Sequence, residues 1–177
     1  MRLWIFLLLA LPAFSLSAQS ATPCGLSEVS PVFDRTHARF HRYAVLTPLG
    51  PGDSTHARAL FAHMMAEKQL VAPVLKPYRG PVAPCDTVEV RIGPTRHNPI
   101  LMVVDTAHRA FINQALPGHI LYPGWVRREV ILQEGVLHIR TTSEGSGRLP
   151  RLDERMGPRY WRKLDVRIKR TLDNHGY

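Results

Sequence analysis

The sequence predicts one small α+β domain, a mostly antiparallel sheet covered by two amphipathic helices, following an N-terminal signal peptide. Three observations carry this. An alternating apolar pattern folds back on itself at Glu134-Gly135, apolar residues recur at helical spacing over 55–69 and 158–172, and 177 residues suit a single domain. With 45% hydrophobic and 21% charged residues the chain can bury a sizeable core, which excludes a disordered tail and a collagen-like repeat.

The first residues read as an export signal. Met1-Arg2 is positive, Leu3 to Leu11 is apolar, and Ser17-Ala18-Gln19-Ser20-Ala21 is rich in small residues. Cleavage after Ser20 puts Ala18 and Ser20 at positions −3 and −1; cleavage after Ser17 or Ala18 is the alternative. The apolar run is interrupted at Pro12 and falls short of the roughly 20 residues a membrane span needs. The expected product is an exported protein, periplasmic or secreted, formed by residues 22–177. Loss of residues 1–20 leaves 22 basic against 14 acidic residues, a charge of +8. Outside the cytosol the two cysteines, Cys24 and Cys85, are expected to bridge. Such a bridge closes a loop of about 60 residues and stabilises by roughly 4 kcal/mol on a chain-entropy model. No Cys-x-x-Cys occurs, which argues against thiol redox chemistry.

The elements follow in order. Residues 22–36 are turn-rich and form an extended arm held at Cys24. Arg39 to Leu46 is an ambiguous strand. After the loop Leu49 to Asp53, a carboxylate or hydroxyl at Asp53 or Ser54 caps a helix over 55–69, whose core face is Ala57, Leu60, Phe61, Met64 and Met65. Pro73, Pro77, Pro81 and Pro84 mark a long connection ending at Cys85. The sheet is then expected over about 88 to 143. Val88 to Ile92 alternates, Ile100 to Val104 is apolar throughout as in a strand buried on both faces, and a short helix is read over Ala107 to Ala115. Finally Pro158 suits a first helical position, with Trp161, Leu164, Ile168 and Leu172 as the packed stripe.

The hairpin at Glu134-Gly135 carries the most information. A two-residue loop pairs Gln133 with Val136, Ile131 with His138, Glu129 with Arg140 and Arg127 with Thr142. Val126, Val130, Leu132, Leu137 and Ile139 then share an apolar face with Arg128 and Thr141 at its end. A three-residue loop would mix apolar with polar residues and oppose Arg128 to Arg140.

The other face gathers Arg127, Glu129, His138, Arg140 and Thr142, and here Glu129, His138 and Arg140 are the candidate catalytic residues. Glu129 as base, His138 as acid and Arg140 as anion stabiliser would suffice for phosphodiester cleavage without metal. In these parts the face resembles the sheet-borne Glu/Arg/His sites of small secreted microbial ribonucleases. The competing reading is a cross-strand ion pair on a solvated face, worth roughly 0.2–1 kcal/mol.

The basic excess points instead to an anionic partner: nucleic acid, an acidic envelope polymer or an acidic protein. Arg127, Arg148, Arg162, Lys163, Arg167 and Arg170 are the candidate anion contacts, four of them on the C-terminal helix. The leading expectation is therefore a non-enzymatic binding module, with the nuclease as alternative. No cofactor is called for. His37 and His41 lie four apart with Asp34 nearby but in a segment whose helicity is not established, and His56 with His63 needs a third ligand from elsewhere, so no metal is assigned. Asp105 stands three residues before His108 and could orient it, and His119 falls in a turn. Tyr122 and Trp125 sit where aromatic rings could stack a ligand or cover the core edge.

Overall fold

A computed structural model describes residues 24, 30–92, 94 and 97–175; the expected signal peptide lies outside these residues. Its centre is the expected hairpin. Glu134 and Gly135 have φ of 51° and 75°, the two positive values that a twist-matched two-residue turn requires. They join β5 (Gly124–Gln133) to β6 (Val136–Gly145), and all four expected pairs, including Glu129 with Arg140, are present.

Four further strands complete an antiparallel sheet. β1 (His41–Pro51) lies beside β6, β4 (Ala110–Ala115) beside β5, then β3 (Pro99–Asp105) and β2 (Asp86–Glu89), giving the order β1-β6-β5-β4-β3-β2. The sheet thus begins well before residue 88, because His41, Val45 and Leu49 alternate inward along β1. The segment Ala107 to Ala115 is not a helix. Phe111 and Ile112 are both buried and point to opposite sides of the sheet, which a strand between β3 and β5 permits and a surface helix does not.

Two helices cover one face. α1 (Ser54–Ala66) starts at Asp53, whose carboxylate accepts from the Thr55 and His56 backbone N–H groups at 2.8 and 2.9 Å, and it buries Ala57, Leu60 and Met64. Together with the proline-rich stretch after it, α1 carries the chain from one sheet edge to the other. The last helix, α2 (Pro150–His175), starts eight residues before the expected Pro158. Pro158 forgoes one helical hydrogen bond, but contacts before it hold the extra turns: Asp153 meets His41 and Glu154 accepts from the Arg42 N–H. The predicted stripe Trp161, Leu164, Ile168 and Leu172 is buried against the sheet.

α2 is also bolted to the sheet by charge. Arg128, on the apolar face as strand parity requires, donates to Asp165 Oδ1 at 2.7 Å, and both side chains are 0% exposed. Thr141 Oγ1 accepts from Arg128, Thr47 Oγ1 donates to Asp165 Oδ2, and the Trp161 ring lies 4.7 Å from the guanidinium carbon.

The opposite face of the sheet has a smaller core of Leu101, Val103 and Ile112, packed by Cys24, Leu116 and Trp125. This explains the uninterrupted apolar run in β3. Cys24 is bonded to Cys85 and the Trp125 indole donates to the Pro31 carbonyl, so Cys24 and Pro31 both lie beside this patch.

Candidate functional site

The outer sheet face carries the expected polar cluster. Glu129 is clamped by two guanidinium groups: Arg127 Nε donates to Oε1, and Arg140 Nε donates to Oε2 at 2.5 Å. Arg127 also reaches Asp105 at 3.0 Å, and the Asp105 carboxylate lies 2.8 Å from His108 Nδ1. Burial alone would raise the Glu129 pKa, but Arg127 and Arg140 outweigh it and hold the carboxyl below its ordinary value. His138 shares this face one rung away, opposite Ile131, and its Nδ1–H donates to the Val136 carbonyl. Arg148, Arg162, Lys163, Arg167 and Arg170 are all exposed, Arg148 in the loop before α2 and the others along the helix's outer side. Among the described residues no cluster of three or more His, Cys, Asp or Glu side chains could hold a metal ion.

The inner face holds something the sequence did not announce. Between the sheet, α2 and the loop after β4 lies a cavity of about 220 Å³, predominantly apolar. Ile100, Ala115, Leu121 and Val126 form much of its sheet side, with Met156 and Tyr160 of α2 across from them. Neither Glu129, His138 nor Arg140 lines it.

A few polar groups interrupt this lining. At one end His41, 1% exposed, places Nε2 3.2 Å from Asp153 Oδ2, while Nδ1 donates to the Arg39 carbonyl. Burial lowers the basicity of His41, but the Asp153 carboxylate and the Arg39 carbonyl more than offset it, so its pKa is raised. The ring fits because Gly145 lies under it, where an added Cβ would fall 2.9 Å from Nε2. Tyr43 OH accepts from the Trp161 indole N–H at 2.7 Å, and burial pushes this phenol well above its ordinary pKa. Gly157 lets α2 approach so closely that a Cβ there would stand 2.5 Å from the Tyr43 ring.

Two polar groups differ from these. Asn113 donates through Nδ2 to the Val71 carbonyl at 3.0 Å, and its buried Oδ1 has no partner. His119 accepts from the Leu121 backbone N–H at Nδ1 (3.0 Å), and burial pushes its pKa down to about 4. The His119 side chain is thus buried, although Pro117 and Gly118 of the same turn are exposed. Nothing in the local sequence distinguishes Asn113, His41 or Asp153; they meet because distant elements converge.

No family model and no curated protein matches the chain. Solved structures do. Norcoclaurine synthase from Thalictrum flavum, a point mutant in complex with a transition-state analogue, superposes with a TM-score of 0.52 at 11% identity over 78% of this chain and 96% of that one. The truncated form of that synthase gives 0.51 at 12% identity over 83% and 98%. Ara h 8.0201 gives 0.51 at 13% identity over 76% and 99%. The antiparallel sheet with helices on one face is thus the fold this chain shares with these proteins. At these identities the likeness describes the fold. The Cys24–Cys85 disulfide is consistent with an exported protein, and no helix among the described residues is long and apolar enough to cross a membrane.

Proposed function

We propose that the protein binds a small, largely apolar organic molecule in the cavity between its sheet and α2. The observation that carries this is the cavity itself. At about 220 Å³ it exceeds the roughly 150 Å³ that admits benzene into an engineered protein core, and it suits a one- or two-ring compound. The similar synthase, solved with a transition-state analogue, supports the idea that this fold can receive an organic ligand. The test is titration with naphthalene, followed by tryptophan fluorescence, since Trp161 borders the cavity. Saturable binding that Ala115→Phe removes is expected, because the new ring fills the space. Binding indifferent to that substitution, or no saturable binding, overturns the reading.

A second reading, an anionic partner, draws on the outer side of α2, where Arg162, Lys163, Arg167 and Arg170 are exposed. Replacing all four by Glu should abolish retention on heparin that weakens steeply with salt. The cleavage alternative has less support from the geometry. A carboxylate whose two oxygens are each held by an arginine is a weakened base, which fits Glu129 better as an ion-pair hub.

A further inference from the structure

We infer that the cavity selects an uncharged ring compound bearing a hydroxyl group, which Asn113 and His119 recognise; this rests on the cavity reading above and names its ligand class. The Asn113 amide has only one workable orientation. The Val71 carbonyl can only accept, so Nδ2 must face it, and Oδ1 is left as an acceptor without a partner on a residue 6% exposed. The ring of His119 is likewise fixed. Because the Leu121 N–H donates to Nδ1, the neutral ring carries its proton on Nε2, a donor that no other described residue engages.

Several other polar groups on this wall are already matched: His41 with Asp153 and the Arg39 carbonyl, and Tyr43 with Trp161. Asn113 and His119 thus offer one unused acceptor and one unused donor, and a hydroxyl is the smallest group that both gives and takes a hydrogen bond. Asp153 is already opposed by His41, and the other ionic side chains of the lining, Arg91 and Glu144, are of opposite sign, so the cavity has no net charge to favour an ionic ligand. A ligand lacking the hydroxyl leaves buried polar atoms unpaired, the situation in which binding sites discriminate strongly.

The test compares 2-naphthol with naphthalene by calorimetry at pH 7 on the oxidised protein. The wild type should bind 2-naphthol about tenfold more tightly. Asn113→Leu and His119→Phe should each bring the affinities for the two probes closer together. Equal affinity for the two probes in the wild type overturns this inference and leaves the cavity reading intact, whereas failure of both probes overturns both. A preference that survives both substitutions also overturns it. Should a variant not fold, 2-methoxynaphthalene on the wild type replaces it. That compound can accept but not donate, so it must bind less tightly than 2-naphthol, and equal binding refutes the role of Asn113.

Discussion

Replacing Asp165 by Leu leaves the Arg128 guanidinium without its counter-ion at a place where neither side chain has any exposed surface. Thr47, which donates to Asp165 Oδ2, loses its acceptor as well. Breaking a buried pair from one side costs about 3–5 kcal/mol, against a typical total stability of about 5–15 kcal/mol. At about 2–4 °C per kcal/mol for a domain of this size, the melting temperature should fall by roughly 10 °C. Urea denaturation of the oxidised protein, followed by tryptophan fluorescence, measures the loss directly. Removing both charges, as Arg128→Met with Asp165→Leu, removes the stranded ion too. The double variant should recover most of the stability, to within about 1 kcal/mol of wild type. The single loss should also be the same at low and high salt, because a pair out of water is hardly screened. A single substitution costing under about 1 kcal/mol, or a double variant no better than the single, would refute the reasoning.

Two further outcomes follow from the cavity wall. His119, with a native pKa near 4 against 6.5 when unfolded, contributes stability that is present above pH 6.5 and lost as the pH falls toward 4, because the unfolded chain takes up a proton that the native ring resists. The full loss is about 3 kcal/mol, and His41, whose raised pKa favours the native state in acid, opposes it in part. Denaturation between pH 7.5 and 4 should therefore show a shallower acid decline in His119→Phe than in wild type, and identical slopes would exclude the effect. Gly157→Ala should destabilise by about 1–3 kcal/mol, although alanine is the better helix former by about 1 kcal/mol, because the new methyl group must displace the Tyr43 ring. A stabilised Gly157→Ala protein would show that α2 and β1 are not so close.

Where a segment's own period decided its structure, the sequence was legible. The β5–β6 hairpin shows this: a two-residue turn and strict alternation leave one register that keeps Val130 and Ile139 together, and Arg128 went inward with them. α1 and the buried stripe of α2 were legible for the same reason. Local reading failed where the decisive partner is remote. Gly157-Pro158 looks like a helix start until Asp153 and Glu154 find β1 more than 110 residues earlier in the chain. β4 looked helical because its neighbours β3 and β5, which take up its backbone hydrogen bonds, are not written into residues 107–115. Asp165 is surrounded in sequence by the basic residues of α2, yet its position between Leu164 and Ile168 puts it on the buried side. The polar groups of the cavity come from β1, β4, the turn after β4 and α2, so no spacing along the chain could have joined them.

Grease has no preferred direction, and the stripe of Trp161, Leu164, Ile168 and Leu172 alone would let α2 roll on the sheet at little cost. The bond from Arg128 to Asp165 is directional. Advancing the helix by one residue would rotate it about 100° and swing the carboxylate away from its partner. With the contacts of Asp153, Glu154 and Trp161 to β1, that bond acts as a key in a keyway: it sets which arginines look outward, and it keeps Tyr160 and Met156 at the wall of the cavity.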